Sequence, residues 1–180
     1  MHIKNKENSI DRDDALNILD RVIDFINNCD NKTSIILGVF GVIITVILTT
    51  DGIGGIKRIL DASMETTPCC GIPYLILWMA SLITIFIGLF KLVSVLIAKL
   101  DFNNSNIYFG SISRNGTSEK YQAKLLSISD DEIISDIISE IYINSKICTK
   151  KFSSYNLGLK LTVIGSFAFL LLWVIGSYVF

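Results

Sequence analysis

The sequence predicts an all-α membrane protein in which three transmembrane helices carry a small, mainly helical cytoplasmic domain. Three observations predict it. Apolar residues make up 51% of the 180, giving a mean hydropathy of +0.53, and the excess is gathered into three runs rather than spread at helix or strand period. The runs have the right length, because at about 1.5 Å rise per residue roughly 20 residues cross a hydrocarbon core about 30 Å thick. The only prolines, Pro68 and Pro73, lie together between the first and second helices, so the rest of the chain is free to be helical.

The first span covers residues 33–50, TSIILGVFGVIITVILTT, and is uncharged throughout, with threonines at its ends. The second covers 72–90, IPYLILWMASLITIFIGLF, and Lys91 follows it, placed to snorkel toward headgroups. The third covers 161–180, LTVIGSFAFLLLWVIGSYVF. The first run begins after a long charged segment and no small-residue cleavage pattern follows it, so a permanent span is expected rather than a signal peptide.

Basic residues set the expected orientation. Lys4, Lys6, Arg12, Arg21 and Lys32 precede the first span, only Lys57 and Arg58 lie between spans one and two, and eight lie from Lys99 to Lys160. The positive-inside rule then places residues 1–32 and 91–160 in the cytoplasm, with the 51–71 loop and the C-terminus outside. Tyr74, Trp78, Trp173 and Tyr178 suit either the outer interface or ordinary helix packing.

Residues 10–29 read as an amphipathic helix, with Leu16, Leu19, Val22, Ile23 and Ile26 at three- and four-residue spacing and Asp11, Asp13 and Asp14 in the first turn, where the helix dipole favours them. Its apolar stripe is expected to pack on the second cytoplasmic segment. That segment opens with a turn-forming cluster, Asn103 to Asn106, followed by a short extended piece, Ile107 to Gly110, and a turn signal at Arg114-Asn115-Gly116. Thr117 is placed to cap a short helix, and Ser129-Asp130-Asp131-Glu132 has the form of a capping box. The helix beyond shows Ile133, Ile134, Ile137, Ile138, Ile141, Cys148, Phe152 and Tyr155 on one side and is expected to run into the third span, with Gly158 as the place for a kink. Since helices pass from one part to the other, the chain is expected to be one folding unit.

Chemistry has little to stand on. Net charge is −1 and pI about 5.8, which argues against nucleic-acid binding through bulk charge. The lone histidine is His2, no C-x-x-C pair exists among Cys29, Cys69, Cys70 and Cys148, and no zinc site is expected. Adjacent Cys69 and Cys70 would close only a strained ring. The carboxylates crowd helix first turns, no nucleophile–base set or phosphate-binding motif is present, and Gly52-Ile53-Gly54-Gly55 reads as a flexible turn. A non-enzyme is expected, without metal or cofactor.

A binding function is easier to assemble. Lys32 stands where the first helix enters the membrane, Lys146, Lys150 and Lys151 stand close before the third span, and Tyr108, Phe109 and Tyr121 supply aromatic faces. Basic donors beside aromatic platforms suit a nucleotide's phosphate and base; basic residues flanking spans are equally what topology demands.

The order of these features resembles the transmembrane effectors of bacterial Pycsar anti-phage defence. Asp30-Asn31-Lys32-Thr33-Ser34 is similar to the family's Asp-x-Lys-x-Ser approach to its first membrane helix, Tyr108-Phe109-Gly110 to its aromatic-Phe-Gly element, Tyr121 to a tyrosine in its short helix, and Ile141-Tyr142, Ile147 and Lys151-Phe152 to the spacing of its next helix. Ser111 departs from the acidic residue often found after the Phe-Gly pair. The resemblance covers about residues 12–180. It implies a partner pyrimidine cyclase that answers phage by making cyclic CMP or cyclic UMP, and an effector that senses the nucleotide through residues 91–160 and impairs the bacterial inner membrane, causing abortive infection. Under it the ligand-binding residues are expected among Asp30, Lys32, Tyr108, Phe109, Gly110, Tyr121, Lys146, Lys150 and Lys151. The implied partners are the lipid bilayer, the cyclase through its product, and further copies of the chain as a homo-oligomer, with no nucleic acid. Glycines 38, 41, 88, 165 and 176 would permit close helix approach in lipid or serve ordinary packing. The competing reading is a small accessory subunit of a membrane transporter or channel; the near absence of charge inside the spans speaks against an independent transporter.

Overall fold

The computed structural model describes residues 10–65, 68–97 and 105–179. These residues form six α-helices: α1 (Arg12–Ile47), α2 (Thr50–Glu65), α3 (Pro68–Leu96), α4 (Phe109–Ile112), α5 (Ser118–Ser127) and α6 (Asp130–Val179), with a 3₁₀ turn at Ser113–Asn115. Among the described residues there is no strand, and three helices are long and apolar enough to cross a membrane: Arg12–Ile47, Gly71–Leu96 and Asp130–Tyr178. The fold is the expected all-α membrane protein. Pro73 lies inside α3 rather than in a loop. The chain divides into two compact units, one from Met1–Asn28 with Ala98–Lys150, the other from Cys29–Ile97 with Lys151–Phe180. Helices α1 and α6 each contribute one part to each unit.

In the first unit, the backbone N–H of Arg12 donates to Asp11 Oδ1 at 2.6 Å, starting α1 where the acidic cluster was expected to. Along this part of α1 the inward positions are Ala15, Leu19, Val22 and Ile26, spaced four, three and four. Leu16 and Ile23, expected on the stripe, are exposed; the small Ala15 takes the buried place. Both predicted caps are present. Thr117 Oγ1 accepts from the N–H of Lys120 at the start of α5. Ser129 Oγ accepts from the N–H of Glu132, and Glu132 Oε2 accepts from the N–H of Ser129, closing the capping box at the start of α6. The Glu119 carboxyl is held below its ordinary value by its own backbone N–H first and then by the Thr117 and Ser118 hydroxyls.

The expected extended piece at Ile107–Gly110 is only partly so. Tyr108 is extended, and Phe109–Ile112 closes a helical turn, with the N–H groups of Ser111 and Ile112 both donating to Tyr108 O at 2.9 Å. Gly116 follows at φ +83° and ends the 3₁₀ turn. The signal for a strand was apolar composition alone, and four residues without a pairing partner gain more by bonding to themselves.

The second unit is built on α3 and the 151–179 part of α6, which pack side by side in opposite directions. On α3 the inward residues are Tyr74, Trp78, Ser81, Gly88, Leu92 and Val95; on α6 they are Gly158, Thr162, Gly165, Phe169 and Gly176. Spacings of three, four and seven define one seam on each helix. The glycines are the contact points. A Cβ on Gly158 would lie 3.0 Å from Gly88 O and from Leu92 N, and one on Gly165 would lie 3.0 Å from Ile85 N. Only backbone-to-backbone contact leaves so little room, and dispersion and packing hold helices together in lipid. Between the glycines, Trp78 stacks on Phe169 at 5.4 Å, and Tyr74 Oη donates to Leu172 O at 2.9 Å. Tyr74 and Trp78 are therefore packing residues, while Tyr178 is exposed. Helix α6 continues through Gly158, whose missing side chain serves the contact with α3.

The 51–71 stretch is also not a loop of flexible turns. Residues Thr50–Glu65 form α2, joined to α1 by Leu48 and Thr49, whose N–H groups bond back to Ile44 O and Val46 O. The turn needs Gly52, since a Cβ there would collide with the Ile47 carbonyl oxygen. Beyond it α2 is amphipathic. Ile59 is buried and approaches Gly176, Gly55 lies near Trp173, and Lys57, Arg58 and Asp61 face outward.

Candidate functional site

The residues singled out for binding fall into both units. In the first, the 105–108 strap is ordered by a run of hydrogen bonds. Ser105 is buried, and its Oγ accepts from the N–H groups of Ile107 and Tyr108 at 3.2 and 3.1 Å. The Asn106 N–H donates to Asp136 Oδ2 at 2.6 Å, and Asn106 O accepts from Tyr121 Oη at 2.8 Å. The strap is thereby tied to α6 through Asp136 and to α5 through Tyr121. Tyr121 is half-buried and braces the strap through its hydroxyl.

The strap presents the aromatic pair. Tyr108 and Phe109 have ring centroids 4.6 Å apart at 52°, Tyr108 half-buried and Phe109 65% exposed. Gly110 is needed here for a local reason, since a Cβ would lie 2.6 Å from Tyr108 Cε1. The aromatic-Phe-Gly element is thus a unit: the glycine lets the tyrosine ring fold over it, and the phenylalanine is left facing out. On α6, Lys146 Nζ lies 4.2 Å from the centroid of Tyr142, a cation held over an aromatic face, and Lys150 is exposed. Glu140, buried, accepts from Asn144 Nδ2 through its carbonyl oxygen at 2.9 Å.

In the second unit, Lys151 and Asp30 meet. Lys151 Nζ donates to both carboxylate oxygens of Asp30, at 2.6 and 2.7 Å. The lysine is 5% exposed and the aspartate side chain 32% exposed. Lys151 is therefore not an uncommitted phosphate donor; its charge is matched inside the protein, as a buried ammonium requires. Lys32, two positions after Asp30, is exposed. Sequence reasoning singled out Asp30 and Lys151 separately and did not pair them, because 121 positions separate them and neither carries a local signal for the other. It also missed Asn106, Asp136 and Tyr142. The asparagine cluster marked the place, while Asp136 sits within an isoleucine-rich helix with nothing to distinguish it from a solvated carboxylate.

The family model described as Pycsar effector protein domain matches residues 14–178, which takes in all three span-capable helices and the segment between the second and third. The chain is also 27% identical over 177 residues to the Pycsar effector protein GmPycTM of Gulbenkiania mobilis, covering 89% of this chain and 90% of that protein. No solved structure matches. The chain belongs to the Pycsar effector family, whose members are membrane effectors of anti-phage defence coupled to a cyclase.

Proposed function

We propose that this protein is activated by a cyclic pyrimidine nucleotide, cyclic CMP or cyclic UMP, made by a partner cyclase, and that activation impairs the bacterial inner membrane and aborts infection. The observation that carries the reading is the family match over residues 14–178, which spans the membrane helices and the cytoplasmic segment together. In this reading the chain is not an enzyme. The N-terminus and residues 91–160 are cytoplasmic and the C-terminus is outside, following the distribution of basic residues. The exposed Phe109 ring beside Tyr108 offers a stacking face for a base, with Gly110 and Tyr121 shaping and bracing it. Lys146 and Lys150 are exposed cations in the same unit that draw an anionic ligand toward it. Asp30, Lys32 and Lys151 are the charged group on the second unit. Several copies of the chain assemble to act on the bilayer. A ligand shifts such an equilibrium only through its differential affinity for the two states.

The test is membrane potential in bacteria expressing the protein, recorded while permeant cyclic CMP, cyclic UMP or cyclic AMP is added. Depolarisation by a pyrimidine nucleotide alone is the expected result and names the ligand. A protein confirmed in the membrane that responds to none of the three would sink the reading.

A further inference from the structure

The membrane half of α1 is attached unevenly. At its inner end Cys29 and Thr33 are buried and Asp30 is paired with Lys151. From Ser34 to Ile47 no residue is fully buried, Ile36, Leu37, Phe40 and Ile47 are half-buried, and nothing lies within 4 Å of the position a Cβ would take on Gly38 or Gly41. The apolar window of this helix is 6% buried, against 22% for each of the other two. The span is thus held most closely near Asp30 and only lightly covered beyond it, until Leu48 and Thr49 turn the chain into α2. Thr33 Oγ1 donates to Cys29 O at 2.7 Å and Ser34 Oγ to Asp30 O at 3.0 Å, and hydroxyls that bond back in this way loosen and bend helices.

We infer that the Asp30–Lys151 ion pair is the clamp that holds the membrane part of α1, and that a phosphodiester monoanion opens it by replacing Asp30 on Lys151. The inference rests on the proposed function and supplies its regulation. Lys151 is too deeply buried to be left without a counter-charge, so simple breakage is disfavoured and the exchange of one anion for another is the accessible route. The exposed third of Asp30 is where the competitor arrives. A monoanionic phosphodiester has the charge and the paired acceptor oxygens of the carboxylate it displaces. Once Asp30 leaves, the lightly covered stretch of α1 loses its charged attachment to α6, and the two back-bonded turns let it swing.

The test uses the full-length protein in dye-loaded vesicles of phosphatidylcholine, with Asp30→Asn and the double exchange Asp30→Lys with Lys151→Asp. Asp30→Asn should leak without nucleotide, at least about tenfold faster than the parent. The double exchange restores an ion pair, so its basal leakage should return to the parent level, and it should no longer answer an anion. This variant also guards against simple misfolding: if it leaks as Asp30→Asn does, loss of attraction is not the cause and the inference falls. It falls too if Asp30→Asn matches the parent in basal rate and nucleotide response. Parent leakage on adding cyclic CMP or cyclic UMP assigns the anion to the nucleotide; leakage appearing only when phosphatidylglycerol is included assigns it to a lipid headgroup. If Asp30→Asn leaks, the double exchange does not, and the parent answers no nucleotide, the clamp stands and the nucleotide reading falls.

Discussion

The α3–α6 pair and the membrane part of α1 are made of the same kinds of residue and are held in opposite ways. Both are rich in isoleucine and leucine, and both carry glycines. On α3 and α6 the glycines stand on the seam, and their missing side chains let backbones touch. On α1 the glycines face open space, Ile36, Leu37, Phe40 and Ile47 are only half-buried, and the closest attachment is at the end that carries the Asp30–Lys151 ion pair. In a bilayer, apolar composition drives a helix into lipid but not against another helix; close packing and polar contacts decide the latter. The two regions therefore differ in what can undo them. The pair is undone by bulk, and α1 by charge.

The largest effect is expected at the clamp, and it should be lopsided. Asp30→Asn leaves a buried ammonium uncompensated and should cost roughly 3–5 kcal/mol of detergent-solubilised stability. Lys151→Ala leaves Asp30, which is partly hydrated, and should cost only about 1–2 kcal/mol. Thermal melts of the two variants in one detergent check the order; equal losses would mean that Lys151 is reached by solvent. Next comes Gly158→Ala, whose methyl group meets Gly88 O and Leu92 N, backbone atoms that cannot rotate away. A cost of about 1–3 kcal/mol is expected from overpacking, read from the same melts. Smaller still is Tyr74→Phe, which keeps the ring and removes the hydrogen bond to Leu172 O; in a membrane interior that is about 0.6–1 kcal/mol. If Gly158→Ala proves silent while Tyr74→Phe does not, polar contacts rather than glycine packing hold the pair, and the contrast with α1 narrows.

What the sequence made legible was local. The Thr117 cap and the Ser129–Glu132 box each rest on residues within a few positions of one another and are present as read, and the three apolar runs fall in helices long and apolar enough to cross a membrane, although the first helix ends at Ile47 rather than at residue 50. Helix α2 was misread for a related reason. Its stripe of Ile53, Ile56, Ile59 and Leu60 has helical spacing, but Gly52, Gly54 and Gly55 outweigh it locally, and what it packs on lies outside it: α3, and Trp173 and Gly176 at the far end of α6. The candidate site divides in the same way. Tyr108, Phe109 and Gly110 could be picked out because they are consecutive. The Asn106–Asp136, Asn106–Tyr121 and Asp30–Lys151 contacts join residues 30, 15 and 121 positions apart, and no periodicity reports them. Glycine's role was undetermined for a physical reason: a glycine on a seam and one facing lipid look identical until the neighbouring helix is in place.

That ambiguity is what the smallest prediction tests. Gly38→Ala and Gly41→Ala each add a methyl group where nothing lies within 4 Å. In the single chain they should leave stability within about 0.5 kcal/mol of the parent, with helix propensity favouring alanine if anything. Melts at high detergent-to-protein ratio, where chains are separated, check this directly. The informative comparison is with the same variants in vesicles. If the open face of α1 meets only lipid, leakage should be unchanged there too. If it meets a second copy once the clamp has opened, the added methyl groups fall in a new helix contact, and activated leakage drops while the separated chain melts as before. A loss already present in the separated chain would instead mean that α1 packs within the monomer, and that its contrast with the α3–α6 pair is smaller than the structure shows.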